Sequence, residues 1–209
     1  MKKRITSLLM VLLVCINLSA CGTKPPKDVT NEFLSALQKM DDKTAGELYN
    51  GEFKKPDFNF MDDKEMDTAI GKLLENKVYG FDYTINGETI TDNKAVVQVE
   101  ITAYNIGDAM SKSIQDYISK AIEKIFNNID LIQDMNKLDD EMSKFLTQTM
   151  KENLNNCKKD FKKNIKINLT KVDGEWRVDD FKSNQDFVNA ISGDMTSAIN
   201  EISKLGTDK

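Results

Sequence analysis

Apolar residues recur along this chain at two periods, and the changes of period divide it into elements. Val29, Phe33, Ala36, Leu37 and Met40 recur every three to four residues, the spacing of one helix face. A first helix is expected from Asp28, as its cap, to about Met40. Asp41-Asp42 ends it and starts a short second helix through Leu48-Tyr49, which Asn50-Gly51 stops. Residues 51–62 read as a loop held down by Phe53, Phe58 and Phe60. A third helix is expected over about 63–76, with Met66, Ile70, Leu73 and Leu74 inward.

The period then drops to two. Phe81, Tyr83 and Ile85 alternate with polar neighbours, which predicts one long strand over about 79–91. Asn86-Gly87 reads as a bulge inside it, and Asp92-Asn93 as the turn, because the next strand is twelve residues long and needs a long partner. That strand, 94–105, turns Val97, Val99, Ile101 and Ala103 to one face. Residues 106–159 return to a helical period, with one stripe from Met110 to Phe126 and another from Ile132 to Cys157, broken at Asn127-Asn128; two antiparallel helices are expected. Ile165, Ile167 and Leu169 mark a strand over about 163–171, Asp173-Gly174 a hairpin turn, and Trp176 and Val178 the strand after it. Ser183 is expected to cap a last helix over 184–205, with Phe187, Ile191, Met195, Ala198, Ile199 and Ile202 on one face. Helices and strands are segregated and not alternating. This predicts an α+β fold: N-terminal helices packed on a curved antiparallel sheet of about four strands, with an inserted helix pair and a C-terminal helix.

The first residues belong to no such element. Lys2, Lys3 and Arg4 precede an unbroken apolar run, Leu8 to Ile16. Nine helical residues rise about 14 Å, too little to span a bilayer, so the run reads as the core of a signal peptide over 1–20. It ends in Leu18-Ser19-Ala20-Cys21, which resembles the lipobox of bacterial lipoproteins. The resemblance implies cleavage before Cys21 and diacylglycerol on its thiol, with residues 21–27 as a tether and 28–209 as one α+β domain. The chain after such a cut carries 26 Lys+Arg against 34 Asp+Glu, a net charge of −8. That charge is repelled by nucleic acid and by anionic headgroups, so membrane attachment would rest on the lipid alone. Cys157 has no partner left, so no intrachain disulfide is expected.

The sequence Val29-x3-Phe33-Leu34-x-Ala36-Leu37-x2-Met40-Asp41, then Ala45-x2-Leu48-Tyr49, the long strand pair and the closing Val172-Asp173-Gly174-Glu175-Trp176-Arg177-Val178 resemble bacterial lipoproteins with a nuclear-transport-factor-2-like, or cystatin-like, domain. The resemblance covers about 28–105 and 160–181. It implies helices packed into the concave face of a curved antiparallel sheet and an extracytoplasmic setting, and it implies no reaction. The helix pair at 106–159 and the helix at 184–205 depart from it, and these three are expected to pack together as an added layer.

The available chemistry is narrow. Without histidine there is no Ser-His or Cys-His centre and no histidine-bearing zinc site. No glycine-rich phosphate loop occurs, and Arg177 is the one arginine after the signal peptide. Carboxylate clusters remain at Asp62-Asp63, Asp139-Asp140-Glu141 and Asp179-Asp180, where paired acids could serve hydrolysis or calcium, but Asp63 reads as a helix cap and the 139–141 group as a solvated helix face. Tyr83, Tyr104 and Trp176 are the candidate pocket-lining residues; aromatic residues on strands also serve simply as core. Met110, Met135, Met142, Met150 and Met195 would suit a partner groove or a helical core. The expectation is a lipoprotein anchored on the extracytoplasmic face of the membrane through Cys21, without cofactor, metal site or nucleic-acid partner, that binds a small ligand or an envelope protein. The alternative is a carboxylate-dependent hydrolase with its pocket between sheet and helices.

Overall fold

The sheet is organised around its second strand, in a computed structural model that describes residues 23–56, 69–127 and 135–205. The expected signal peptide 1–20, Cys21, Phe58, Phe60, Asp62-Asp63, Met66, Asn128 and Ile132 lie outside the described residues. Strand β1 (Asp82–Thr91), β2 (Lys94–Ala103), β3 (Phe161–Val172) and β4 (Glu175–Val178) form one antiparallel sheet in the order β1-β2-β3-β4. Ala95, Val97, Val99, Ile101 and Ala103 of β2 are all buried, facing Ile165, Ile167 and Leu169 of β3 on the same side. The register of β1 shifts between Ile85 and Gly87, so the Asn-Gly pair is the expected bulge, and the turn lies at Asp92-Asn93. Asp173 and Gly174 both adopt positive φ, 51° and 87°, as a two-residue hairpin loop requires.

Helix α1 (Pro26–Gln38) crosses the buried side of the sheet. It starts two residues before the expected cap at Asp28. Pro25 holds an extended backbone, Pro26 stands in the first turn, where a missing N–H costs nothing, and no side chain caps the end. Helix α2 (Asp42–Glu47) has the expected cap: the Asp41 carboxylate accepts from the Thr44 backbone N–H at 3.1 Å and from its hydroxyl at 2.6 Å. Helix α3 (Ala69–Tyr79) runs three residues past the expected end at Asn76, because Val78 and Tyr79 are needed in the core.

The helix pair is present as α4 (Ile106–Asn127) and α5 (Met135–Asn156), packed on each other. The Asn105 N–H donates to the Lys158 carbonyl at 2.9 Å, so the pair leaves and rejoins the sheet at one point. The last helix differs from expectation. It is two helices, α6 (Gln185–Ile191) and α7 (Met195–Leu205), and Asn184, not Ser183, stands at its start. Gly193 ends α6 at φ +55°, and the Asp194 N–H bonds back to the Asn189 carbonyl, a left-handed helix terminus that glycine favours. The break parts their packing. Helix α6 lies on β2 and β3, while α7 packs on α4. The helical layer therefore consists of α4, α5 and α7, with α6 in the sheet's own core.

Where β4 stops, side chains take over its edge. Buried Asn184 accepts the Asn168 N–H at 2.8 Å and donates to the Asp179 carbonyl at 2.8 Å. On β4's other side, Val178 exchanges backbone hydrogen bonds of 2.8 Å with Leu48 and Asn50.

Gly193 sits where the strand end, α4 and the α6–α7 link meet. The Gly107 N–H donates to its carbonyl at 2.9 Å, and a Cβ on Gly193 would lie 1.9 Å from the Tyr104 carbonyl oxygen. Gly193→Ala should therefore cost about 3 kcal/mol or more, combining left-handed strain with a backbone clash. Gly174→Ala, strained but in open space, should cost about 1 kcal/mol. Urea unfolding of both variants checks this; equal losses would contradict it.

Candidate functional site

Aromatic rings occupy the space between α1 and the sheet, where a pocket would have to lie. Phe33 of α1 is fully buried, with ring centroids 6.2–6.5 Å from Tyr49, Phe53, Phe181 and Phe187. Phe187 in turn meets Phe81 edge-on at 6.1 Å. The Tyr49 hydroxyl accepts the Phe181 N–H at 2.8 Å, which fixes the chain leaving β4 against this cluster. Burying each such ring stabilises the fold by about 2 kcal/mol. Sequence reasoning left Phe181 without a role, since it lies in a turn with no period; its one signal was an aromatic residue directly after Asp179-Asp180.

The three candidate pocket residues do not converge. Tyr83 on β1 and Trp176 on β4 lie on opposite edges of the sheet and at opposite ends of the strands, the levels of Lys163 and Lys171 on β3, about 30 Å apart. The Tyr83 hydroxyl is bonded to the backbone and side-chain oxygens of Asn31, at 3.1 and 3.0 Å. Tyr104 lies just past β2, with the Lys77 ammonium 4.1 Å from its ring centre and the Lys159 ammonium at 5.9 Å. Trp176 borders an open concavity of about 440 Å³, shared with Thr23, Lys24, Val29, Leu48 and the hairpin residues 173–175.

Among the described residues, Asp140, Glu141, Asp179 and Asp180 of the acidic clusters all have partners within the fold. Asp179 accepts from Thr170 at 2.6 Å and from Asn50 at 3.0 Å, and lies 3.8 Å from Lys94. Asp180 accepts the Ser183 N–H at 2.8 Å, and this bond holds its carboxyl below the ordinary value. Asp140 pairs with Lys144 at 2.6 Å, and Glu141 with Lys124. Among the described residues no group of three or more cysteine or acidic side chains is arranged to hold a metal ion. Cys157 borders a concavity of about 290 Å³ at the root of the helix pair, and burial pushes its thiol up, away from the reactive thiolate. Met110, Met142 and Met195 are buried and Met150 packs against the core, so these four fill the helical layer.

No protein-family model matches this chain, and no curated protein matches it. In structure it is similar to a candidate lipoprotein of Bacillus subtilis, YcdA, at 14% identity and a TM-score of 0.35; the match covers 78% of this chain and 46% of that one. The chain thus matches about half the length of that structure.

Burial raises the titration of Tyr49 and Cys157, and that of Tyr79 most strongly. Tyr79 is buried at the end of α3, and its phenol is pushed far above the ordinary value, first by burial and then by the charges of Glu75 and Asp42. Its contribution is fully present below about pH 10, where the unfolded phenol titrates, and is lost as pH rises beyond it. Tyr79→Phe should flatten the alkaline fall of stability by about 1.4 kcal/mol per pH unit above pH 10. Chemical denaturation from pH 9 to 11.5 checks this; parallel curves for variant and parent would contradict it.

Proposed function

We propose that this chain is a lipid-anchored, extracytoplasmic binding protein whose partner is met on its surface, and that its helix-on-sheet core is of the NTF2-like, cystatin-like kind its sequence resembles. The observation that carries the binding reading is the ring cluster around Phe33. It fills the layer between helices and sheet with side chains, and the concavities at Trp176 and Cys157 lie outside that layer. The acids at Asp179 and Asp180 are held as turn-building groups. Among the described residues the space between α1 and the sheet is taken up by side chains, which favours a partner met on the surface.

The anchor reading rests on the basic start, the short apolar run and Leu18-Ser19-Ala20-Cys21. With α1 beginning at Pro26, four residues separate Cys21 from the folded body, a reach of about 14 Å. One acyl chain gives only about 10⁴ M⁻¹ of membrane binding, whereas a diacylglycerol supplies the second chain that stable anchoring needs. Among the described residues no helix is long and apolar enough to cross a membrane.

Cys21→Ala should move the protein from the membrane fraction to the soluble one, and retention through an alkaline wash would contradict the anchor. Site-specific photocrosslinking in intact cells, scanned over the exposed face, should give a discrete adduct of defined mass from one patch. Turnover of a glycan or ester by the purified chain, abolished by a single carboxylate substitution, would overturn the binding reading.

A further inference from the structure

Strand β3 is longer than the strand beside it. Its twelve residues pair along their whole length with β2 from Lys94 to Ala103, but β4 covers only Leu169 to Val172, and Asn184 and Asp179 extend the cover by one residue to Asn168. The two-residue hairpin makes Val172 and Glu175 a hydrogen-bonded pair, so alternate residues back along β3 turn their N–H and C=O the same way. Lys162, Asn164 and Lys166 therefore aim their backbone groups away from β2, into the space beyond the end of β4. Among the described residues no backbone or side-chain group bonds to them there. All three side chains are exposed, and a concavity of about 460 Å³ runs from Asn164, Lys166 and Asp186 inward to Gln98 of β2 and Asn86 of β1.

The charge of this edge is opposite to that of the molecule. Six lysines and one acid lie between Lys158 and Lys171, in a chain of net charge −5. Lys159 and Lys163 are paired, with Asp82 and Asp186, whereas Lys162 and Lys166 form no ion pair among the described residues. Pairing this edge antiparallel with a second copy, centred on Asn164, would set Lys162 against Lys166 twice; like charges directly opposite oppose that pairing.

We infer that residues 162–166 of β3 form a docking edge for an extended acidic peptide segment of a partner protein, which adds to the sheet as a further antiparallel strand. The inference deepens the binding reading above and rests on it. The partner strand needs acids four residues apart to face Lys162 and Lys166, a small polar residue opposite Asn164, and an apolar residue facing Ile165 on the buried side. Two acids lie near this edge, Asp186, which is 3.6 Å from Lys163, and Glu100 of β2, which stands opposite Asn164.

The test uses the full chain in detergent and two capped peptides, TEVTVET and its lysine counterpart TKVTVKT. Saturating TEVTVET should slow amide exchange at Lys162, Asn164 and Lys166 at least tenfold, and should bind less tightly as salt rises. The double variant Lys162→Glu/Lys166→Glu, with an unchanged circular dichroism spectrum, should lose TEVTVET at least tenfold and gain TKVTVKT. Unchanged amide exchange, equal binding of the two peptides by the parent, or displacement of TEVTVET by polyphosphate with no change at these amides would each overturn the inference. A photocrosslinked partner that the double variant keeps would overturn this edge alone and leave the binding reading in place.

Discussion

Three parts of this molecule meet at one backbone contact, the hydrogen bond from the Gly107 N–H to the Gly193 carbonyl. The end of β2, the start of α4 and the link between α6 and α7 approach so closely there that neither glycine has room for a Cβ. At Gly107 it would lie 2.8 Å from the Asp194 carbonyl oxygen, and at Gly193 closer still to that of Tyr104. The contact decides which way the helices go. It holds α6 down on the sheet and turns α7 onto α4. The helix pair is also tied to the body by the Asn105–Lys158 bond, by the packing of α5 on α3 and of α4 on α7, and by its buried root at Ile106, Ala109, Met110 and Leu154.

The second constraint is the filled interior. The rings around Phe33 come from α1, the 49–53 segment, the turn after β4, and α6, so elements distant in sequence depend on one cluster. Filling that layer stabilises the fold. The outside is uneven. The helical layer is well buried at its root, at Ile106, Ala109 and Met110, and opens to solvent farther along α4 at Ile118, Ile122 and Ile125. The sheet shows a lysine-bearing edge only where β3 outlasts its neighbour.

The strands were legible because alternation and loop chemistry agreed. Val97, Val99, Ile101 and Ala103 fixed a buried face, Asn86-Gly87 marked the bulge, and Asp173-Gly174 the hairpin. The break at Gly193 was not legible from periodicity, because Phe187, Ile191, Met195 and Ala198 keep a helical spacing straight through it. Its only mark was Ser192-Gly193-Asp194. The end of α3 was misplaced for a similar reason: Tyr79, Phe81 and Tyr83 continue the alternation of β1 backwards into the helix. The candidate site was least legible. Tyr83, Tyr104 and Trp176 share a residue class, but whether they share a place depends on strand order, and the free edge of β3 depends on where β4 stops. That stop is set by the hydrogen bonds of Asp179, Asp180 and Asn184, which no local pattern announces.

Native-state hydrogen exchange at the Gly107 amide tests the central claim most directly. If its bond to Gly193 holds sheet and helical layer together, this amide opens only with the whole molecule, at the same free energy as Val97 and Val99 in the centre of β2. Exchange of Gly107 through a separate, lower-energy opening, while the β2 amides stay protected, would show that the helical layer is attached to the sheet by something else.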